Sequence, residues 1–288
     1  MKPLRVLLCL LLMIALPLCA HAQEKPPIGV AWVPDAEWES AIDACFAIEE
    51  AGGAAVFLPQ CTSAGDAAAA LSGVRAVVFP GGVDLSPALY GEQASELTAG
   101  CSAERDTSDL LLMNLCLQND LPVLGLCRGM QLLAAASGAK LVQDIPAHFA
   151  ALGADDGHTH RLAGAYSDYA SHSIRITQKD SLMYAIIGAH ELHGVPSRHH
   201  QAVQPFDNLP LRVTAVTETD GVEIIEAIER TDCRFALGVQ FHPEAAVMKH
   251  LDGAQNADMY MEMETALRFF TALVEAANSE NEEMKTFH

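Results

Sequence analysis

The chain has 288 residues, 37 acidic against 17 basic side chains for a formal net charge of −20, and is half hydrophobic. That apolar fraction suffices to bury a core and excludes intrinsic disorder, while the absence of sustained heptads excludes a coiled coil. The negative charge excludes sequence-independent nucleic-acid binding, because a phosphate backbone would be repelled.

Lys2 and Arg5 precede an apolar run from Val6 to Leu18, followed by Ala20-His21-Ala22 and polar Gln23. A basic start, a short apolar stretch and a small-x-small cleavage site form the pattern of a secretory signal peptide. The run falls short of the roughly 20 residues that a membrane-spanning helix needs. The sequence therefore predicts a signal peptide over 1–22, cleavage after Ala22 and a periplasmic or secreted product with no membrane span. Cleavage removes two basic residues, no acidic ones and two of the eight cysteines, so the charge moves to −22.

Ile28–Val33 then reads as a strand, and Glu37–Glu50 as a helix closed by Gly52-Gly53. Ala54–Leu58 is a second strand, Asp66–Leu71 a short helix and Arg75–Phe79 a third strand. Glu104–Gln118 is helical, Leu121–Leu126 a very apolar strand and Arg128–Ser137 a helix. Continuous apolar strands alternating with helices imply an α/β fold: a mostly parallel central sheet flanked by helices on both faces.

His148–Tyr169 has no clean period and reads as a long loop or insertion. Ser173–Ile176 is a strand and Ser181–Ile187 a helix. Leu211–Thr217 and Ile224–Ile228 form a hairpin across Thr219-Asp220-Gly221. Phe235–Phe241 is another apolar strand. Ala257–Ala277 is an amphipathic helix whose stripe holds Met259, Met263, Ala266, Leu267, Phe270 and Leu273 as core positions. The acidic tail after Asn278 is expected to fray. With no repeat and no linker, a single domain is predicted over 23–288.

The sharpest chemical signal is Gly125-Leu126-Cys127-Arg128-Gly129. A thiol between a buried strand and a helix, with glycines two residues to either side, has the form of a nucleophile elbow. The helix start supplies amide N–H groups and a positive dipole end that favour a thiolate and an oxyanion. A packing cysteine would look the same in isolation. At the end of another apolar strand, His242-Pro243-Glu244 offers a base and a carboxylate to hold its tautomer. In a parallel sheet the strand C-termini gather at one edge, so Cys127 and His242 can meet. Pro80-Gly81-Gly82 follows a third strand, and its backbone can approach a ligand closely. The N–H groups of Gly82 and Arg128 are the predicted oxyanion hole.

These residues resemble the class I glutamine amidotransferase-like superfamily, which has a flavodoxin-like fold, and within it the peptidase C26 group. The resemblance is carried by Pro80-Gly81-Gly82 with Asp84, Pro87 and Tyr90-Gly91-Glu92, then by Arg105-Asp106. It continues through Pro122 to Gln131, Gln143-Asp144-Ile145, His199-His200-Gln201, Asp220-Gly221 with Glu226-Ala227, and Gly238 to Glu244. It implies a Cys127–His242–Glu244 triad acting on a γ-glutamyl amide, with a γ-glutamyl thioester on Cys127. It also implies that Gln131, His199, His200 and Gln201 contact the glutamyl portion. No cofactor is implied, the partner is a small γ-glutamyl substrate, and homo-oligomer formation is left open.

The remaining histidines, His158-Thr159-His160, His190 with His193, and His199-His200, lack zinc-site spacing. They read as solvated loop residues, and no metal is predicted. Arg105-Asp106, at a helix start, reads as capping and packing. With Cys127 kept as a thiolate, Cys45, Cys61, Cys101, Cys116 and Cys233 can form at most two disulfides.

The leading expectation is an exported, stand-alone γ-glutamyl hydrolase, with cell-wall γ-glutamyl peptides among its conceivable substrates. The alternatives are a glutaminase subunit supplying ammonia to a partner and a catalytically silent binding protein of the same fold. Intact-mass spectrometry of exported protein should give a chain beginning at Gln23. Met1 retained in that material would contradict the signal-peptide reading.

Overall fold

A computed structural model describes residues 24–32, 38–98, 100–163 and 168–285, with side chains to 279. The signal sequence expected over 1–22 lies outside them. The chain alternates from the outset: β1 (Pro27–Ala31), α1 (Trp38–Glu50), β2 (Ala54–Leu58), α2 (Ala64–Ala70) and β3 (Ala76–Phe79). There follow α3 (Ala103–Gln118), β4 (Val123–Leu126), α4 (Arg128–Ala136), β5 (Leu141–Val142) and α5 (Ile145–Leu152). The second half holds β6 (Ala170–Ile176), α6 (Leu182–Ile187), β7 (Glu191–Ser197), β8 (Ala202–Val203), β9 (Leu211–Thr219), β10 (Val222–Arg230) and β11 (Ala236–Val239). It closes with α7 (Pro243–Leu251) and α8 (Met263–Lys285).

The main sheet runs β2-β1-β3-β4-β11-β10-β9-β6-β7. It is parallel from β2 to β11, as the apolar strands and intervening helices require, and antiparallel from β11 to β7. Alternate residues of the central strands feed opposite faces. Ile28, Val30, Val78, Leu124 and Leu126 join a core with α1, α7 and α8. Val77, Phe79 and Val123 join the other with α2, α3 and α4. Both faces are covered, which is why these strands are apolar throughout.

The β9–β10 hairpin turns at Asp220 and Gly221, both at positive φ, as its sequence predicts. Three expectations change. Residues 148–169 do not form a loop throughout, because α5 extends to Leu152 from an Asp144 side-chain cap. Met259 is not a core residue: it ends a separate turn, Ala257–Met259, and is 58% exposed. The last helix starts only at Met263 and continues through the acidic segment after Asn278 to Lys285.

The parallel pairing of β4 with β11 decides the location of the site. Val123 lies beside Ala236 and Leu126 beside Val239, so both strands end at the same edge. The residues that follow them are Cys127 and Gln240-Phe241-His242.

Candidate active site

Cys127 occupies the turn between β4 and α4 with φ 51° and ψ −102°, a conformation that a residue bearing a side chain rarely adopts. Its N–H donates to the Val239 carbonyl at 2.8 Å, and its own carbonyl accepts from Gln131 N at 3.2 Å. The turn tolerates no bulk behind it: a Cβ at Gly129 would lie 2.0 Å from the Phe79 carbonyl oxygen. The glycine spacing read in the sequence is thus a packing requirement of the strand-to-helix turn. The thiol, at the start of α4, is largely buried yet lines a cleft of about 670 Å³.

His242 caps the N-terminus of α7, and Glu244 lies in its first turn. Nδ1 of His242 is 2.7 Å from Glu244 Oε1, which fixes the other ring nitrogen, Nε2, as the one available to a ligand. Nε2 is buried and makes no well-aligned hydrogen bond, although Cys127 is close enough to couple with the ring. Burial opposes charge on the imidazole, but Glu244 and then Cys127 outweigh it and raise its pKa to about 10. Tyr169 packs against the ring with 5.1 Å between centroids.

Ser40 on α1 completes the support. Its hydroxyl donates to Glu244 Oε1 at 2.8 Å and accepts from Gly81 N at 3.0 Å. One side chain therefore ties the carboxylate to the glycine loop. Asp43, one turn along the same helix, is raised to about 7 by burial and then by the charges of Glu244 and Glu39.

Gly82 follows, and a Cβ there would lie 1.8 Å from Arg105 Nη1, so any side chain would displace that guanidinium from its carbonyl partners. Arg105 Nη2 donates to the carbonyls of Gly81 at 2.7 Å and Pro80 at 3.3 Å. Its Nε reaches Asp109 at 3.3 Å. Asp109 also accepts from Arg128, whose other terminal nitrogen bonds Asp106 at 2.7 Å. Asp106 in turn accepts from Ser86 N at 3.0 Å. All four charged side chains are buried. Of the capping and packing expected for Arg105-Asp106, the capping falls to Ser102, while the pair packs as part of an ion network with Asp109 and Arg128 beside the glycine loop and the Cys127 turn. The Gly82 and Arg128 amides are thereby held by one framework.

The structure brings Gly82, Cys127, Gln131, His199, His200, Gln201 and His242 to the wall of the one cleft. Glu244 stands behind His242, fully buried. Gln131 Nε2 donates to the Gln201 carbonyl and to Gln240 Oε1, both at 3.3 Å. His200 has Asp84 on Nε2 at 2.9 Å and Asp144 on Nδ1 at 3.2 Å. Burial works against its charge, but the hydrogen bond and charge of Asp84 raise its pKa above the ordinary value. Arg161 and Arg198 also line the cleft, as do Glu39 and Asp84, so cationic groups stand in its wall within an acidic protein.

The reading of His160 and His199 as solvated does not hold: both are buried beside Glu226, whereas His158, His190 and His193 are exposed. Burial depresses His199 to about 4, so its ring is neutral near pH 7. Burial alone would raise Glu226, but the charge of His172 and hydrogen bonds from the surrounding imidazoles hold it well below the usual carboxylate range. Among the described residues, Cys61, Cys101, Cys116, Cys127 and Cys233 are free thiols.

The Peptidase C26 family profile matches residues 28–244. The chain belongs to the peptidase C26 family. A candidate glutamine amidotransferase of Mycobacterium tuberculosis is 36% identical over 234 residues, covering 80% of this chain and 65% of that protein. The γ-glutamyl-γ-aminobutyrate hydrolase of Escherichia coli O157:H7 is 30% identical over 200 residues, covering 69% of this chain and 75% of that one. Among solved structures, the glutaminase domain of Trypanosoma brucei CTPS with bound acivicin aligns with a TM-score of 0.57 at 17% identity, over 88% of this chain and 94% of that one. At that identity the likeness shows the fold: the class I glutamine amidotransferase-type sheet with its helices. This peptidase C26 chain places its matched motifs around the cleft just described.

Sequence reasoning missed Ser40, Tyr169, Arg161 and Arg198, none of which sits in a recognisable local motif. Replacing Asp109 by Asn tests the network, because it strips two buried guanidinium groups of a shared counter-charge. Urea denaturation should show a loss of about 3–5 kcal/mol. Unchanged stability would mean that the network does not hold the two loops.

Proposed function

We propose that this protein is a cysteine hydrolase that cleaves the γ-glutamyl amide bond of a small γ-glutamyl compound. The observation that carries the reading is Glu244 Oε1 at 2.7 Å from His242 Nδ1, with that ring coupled to a thiol on a strained strand-to-helix turn. A nucleophile, a base and a group orienting the base are what acyl transfer through a covalent intermediate requires.

Cys127 attacks the side-chain carbonyl carbon as the thiolate, while the imidazolium form of His242 holds the proton. The carbonyl oxygen becomes an oxyanion and accepts hydrogen bonds from the Gly82 and Arg128 amides. The C–N bond then breaks, His242 gives its proton to the leaving amine, and a γ-glutamyl thioester remains on Cys127. Water attacks that thioester with His242 as base, and glutamate leaves as the thiol is regenerated. The cationic groups of Arg161, Arg198 and His200 suit the free α-carboxylate of the glutamyl group. Gln131, Gln201 and the backbone they share with His199 define the wall against which that group rests.

The second reading, ammonia release from glutamine for a partner, is favoured by the likeness to relatives named as glutamine amidotransferases, including that of Mycobacterium tuberculosis. A panel of γ-glutamyl amides, glutamine and γ-glutamyl muropeptides, assayed for released glutamate, separates the two. The protein alone should cleave at least one γ-glutamyl amide, and Cys127→Ala should lose about 10³-fold or more with its circular dichroism unchanged. Full turnover by that variant would overturn the mechanism. Cleavage of glutamine alone, and only with a partner added, would establish the second reading.

The pH profile carries the charge argument. Because the raised pKa keeps His242 protonated up to about 10, activity should fall only as pH rises through that region. Glu244→Gln removes the charge that favours imidazolium, so this alkaline limb should move down by about one unit or more. A limb that stays in place would contradict the assigned role of Glu244.

A further inference from the structure

Three imidazoles converge on one buried carboxylate behind the cleft wall. Glu226, on β10, has its Oε1 3.2 Å from His160 Nδ1, 3.1 Å from His172 Nε2 and 3.8 Å from His199 Nε2. An isolated carboxylate buried this deeply is costly, so its partners must supply positive charge. His172 supplies one: its Nδ1 faces the Thr159 carbonyl at 3.2 Å, and its Nε2 faces Glu226. Both neighbours accept, so the ring satisfies both only when doubly protonated.

That pair accounts for one oxygen and one histidine. Four further buried atoms, both ring nitrogens of His160, Nε2 of His199 and Oε2 of Glu226, make no well-aligned hydrogen bond. His199 Nδ1 lies 2.8 Å from the Gln201 carbonyl, which can only accept, so Nδ1 carries a proton and Nε2 is the ring nitrogen that faces Glu226. Donor atoms of His160, His199 and Glu226 all fall within 4.8 Å of one another. Metal–nitrogen bonds of about 2.0–2.1 Å place tetrahedral ligands roughly 3.3 Å apart, close to the 3.2 and 3.8 Å separations here.

We propose that His160, His199 and Glu226 form a divalent metal site, with zinc as the ion that two imidazoles and a carboxylate suit. The surroundings are those of a metal centre. The Gln201 carbonyl orients His199, and His172 hydrogen-bonds the ligating carboxylate, as outer partners do around bound zinc. A cavity of about 240 Å³, lined by His158, His160, Arg161 and His199, adjoins the two histidines and is the side from which an ion would enter. The ion would fasten the segment holding His160 to the His199-His200-Gln201 wall. This is a structural role, and it does not depend on which bond the cleft hydrolyses.

The test uses untagged full-length protein, stripped with a chelator and titrated with Co²⁺. The protein should bind about one Co²⁺ per chain with the intense visible absorption of a four-coordinate ion, and Zn²⁺ should displace it. His160→Ala and Glu226→Gln should each abolish that spectrum. Because Glu226→Gln alters a buried pair and can misfold, His160→Ala, at the cavity wall, is the decisive variant, with circular dichroism confirming its fold. Zn²⁺ should raise the Tm of the wild type and leave that of His160→Ala unmoved. A wild-type chain that takes up no Co²⁺, or a spectrum unchanged in folded His160→Ala, would overturn the proposal.

Discussion

The hydrogen bond from Cys127 N–H to the Val239 carbonyl is the contact on which the site depends. It adds one rung to the parallel ladder of β4 and β11 beyond the last paired residues. That rung sets the thiol at the sheet edge where the chain after β11 delivers His242. A register slip of one residue between these strands would invert the faces of their side chains and separate Cys127 from His242. The small residues around the turn follow from the same constraint, since α4 must start against the Phe79 backbone for β4 to end where it does.

Charge placement reinforces the geometry. The chain is strongly acidic, yet Arg161, Arg198 and the doubly hydrogen-bonded His200 stand in the cleft wall beside Glu39 and Asp84. Beneath it, Arg105, Asp106, Asp109 and Arg128 neutralise one another out of water. Such a network is costly to bury and stabilises little on balance, but it is unforgiving of displacement. Its directional bonds reach both Gly81 and the helix that begins at Arg128, so they set the spacing of the two amides assigned to the oxyanion. Ser40 makes the corresponding link between the glycine loop and Glu244. The thiol, imidazole, carboxylate and amides are therefore braced by side chains from α1 and α3.

What was legible in the sequence is what is local. Cys127 between its glycines, His242 two residues from Glu244 and the β–α alternation of the first half are all written in neighbouring residues. The β9–β10 hairpin was legible from Thr219-Asp220-Gly221 for the same reason. The rest depends on contacts between distant positions. Ser40 is 204 residues from Glu244, and nothing in its helical surroundings marks it as different from any capping or packing serine. His160, His172, His199 and Glu226 come from four separate segments and acquire meaning only when β6, β7 and β10 bring them together. Taken one at a time, those histidines look like polar loop residues. α5 was hidden because its capping Asp144 and Pro146 precede the aperiodic stretch instead of lying inside it.

The central claim is that Cys127 takes the γ-glutamyl group covalently, and rapid-quench mass spectrometry during turnover of a γ-glutamyl amide tests it directly. The account predicts an acyl adduct of about 129 Da on the peptide containing Cys127, formed and lost at rates compatible with glutamate release. Glutamate released at the full rate from a protein whose Cys127 peptide never gains that mass would contradict it.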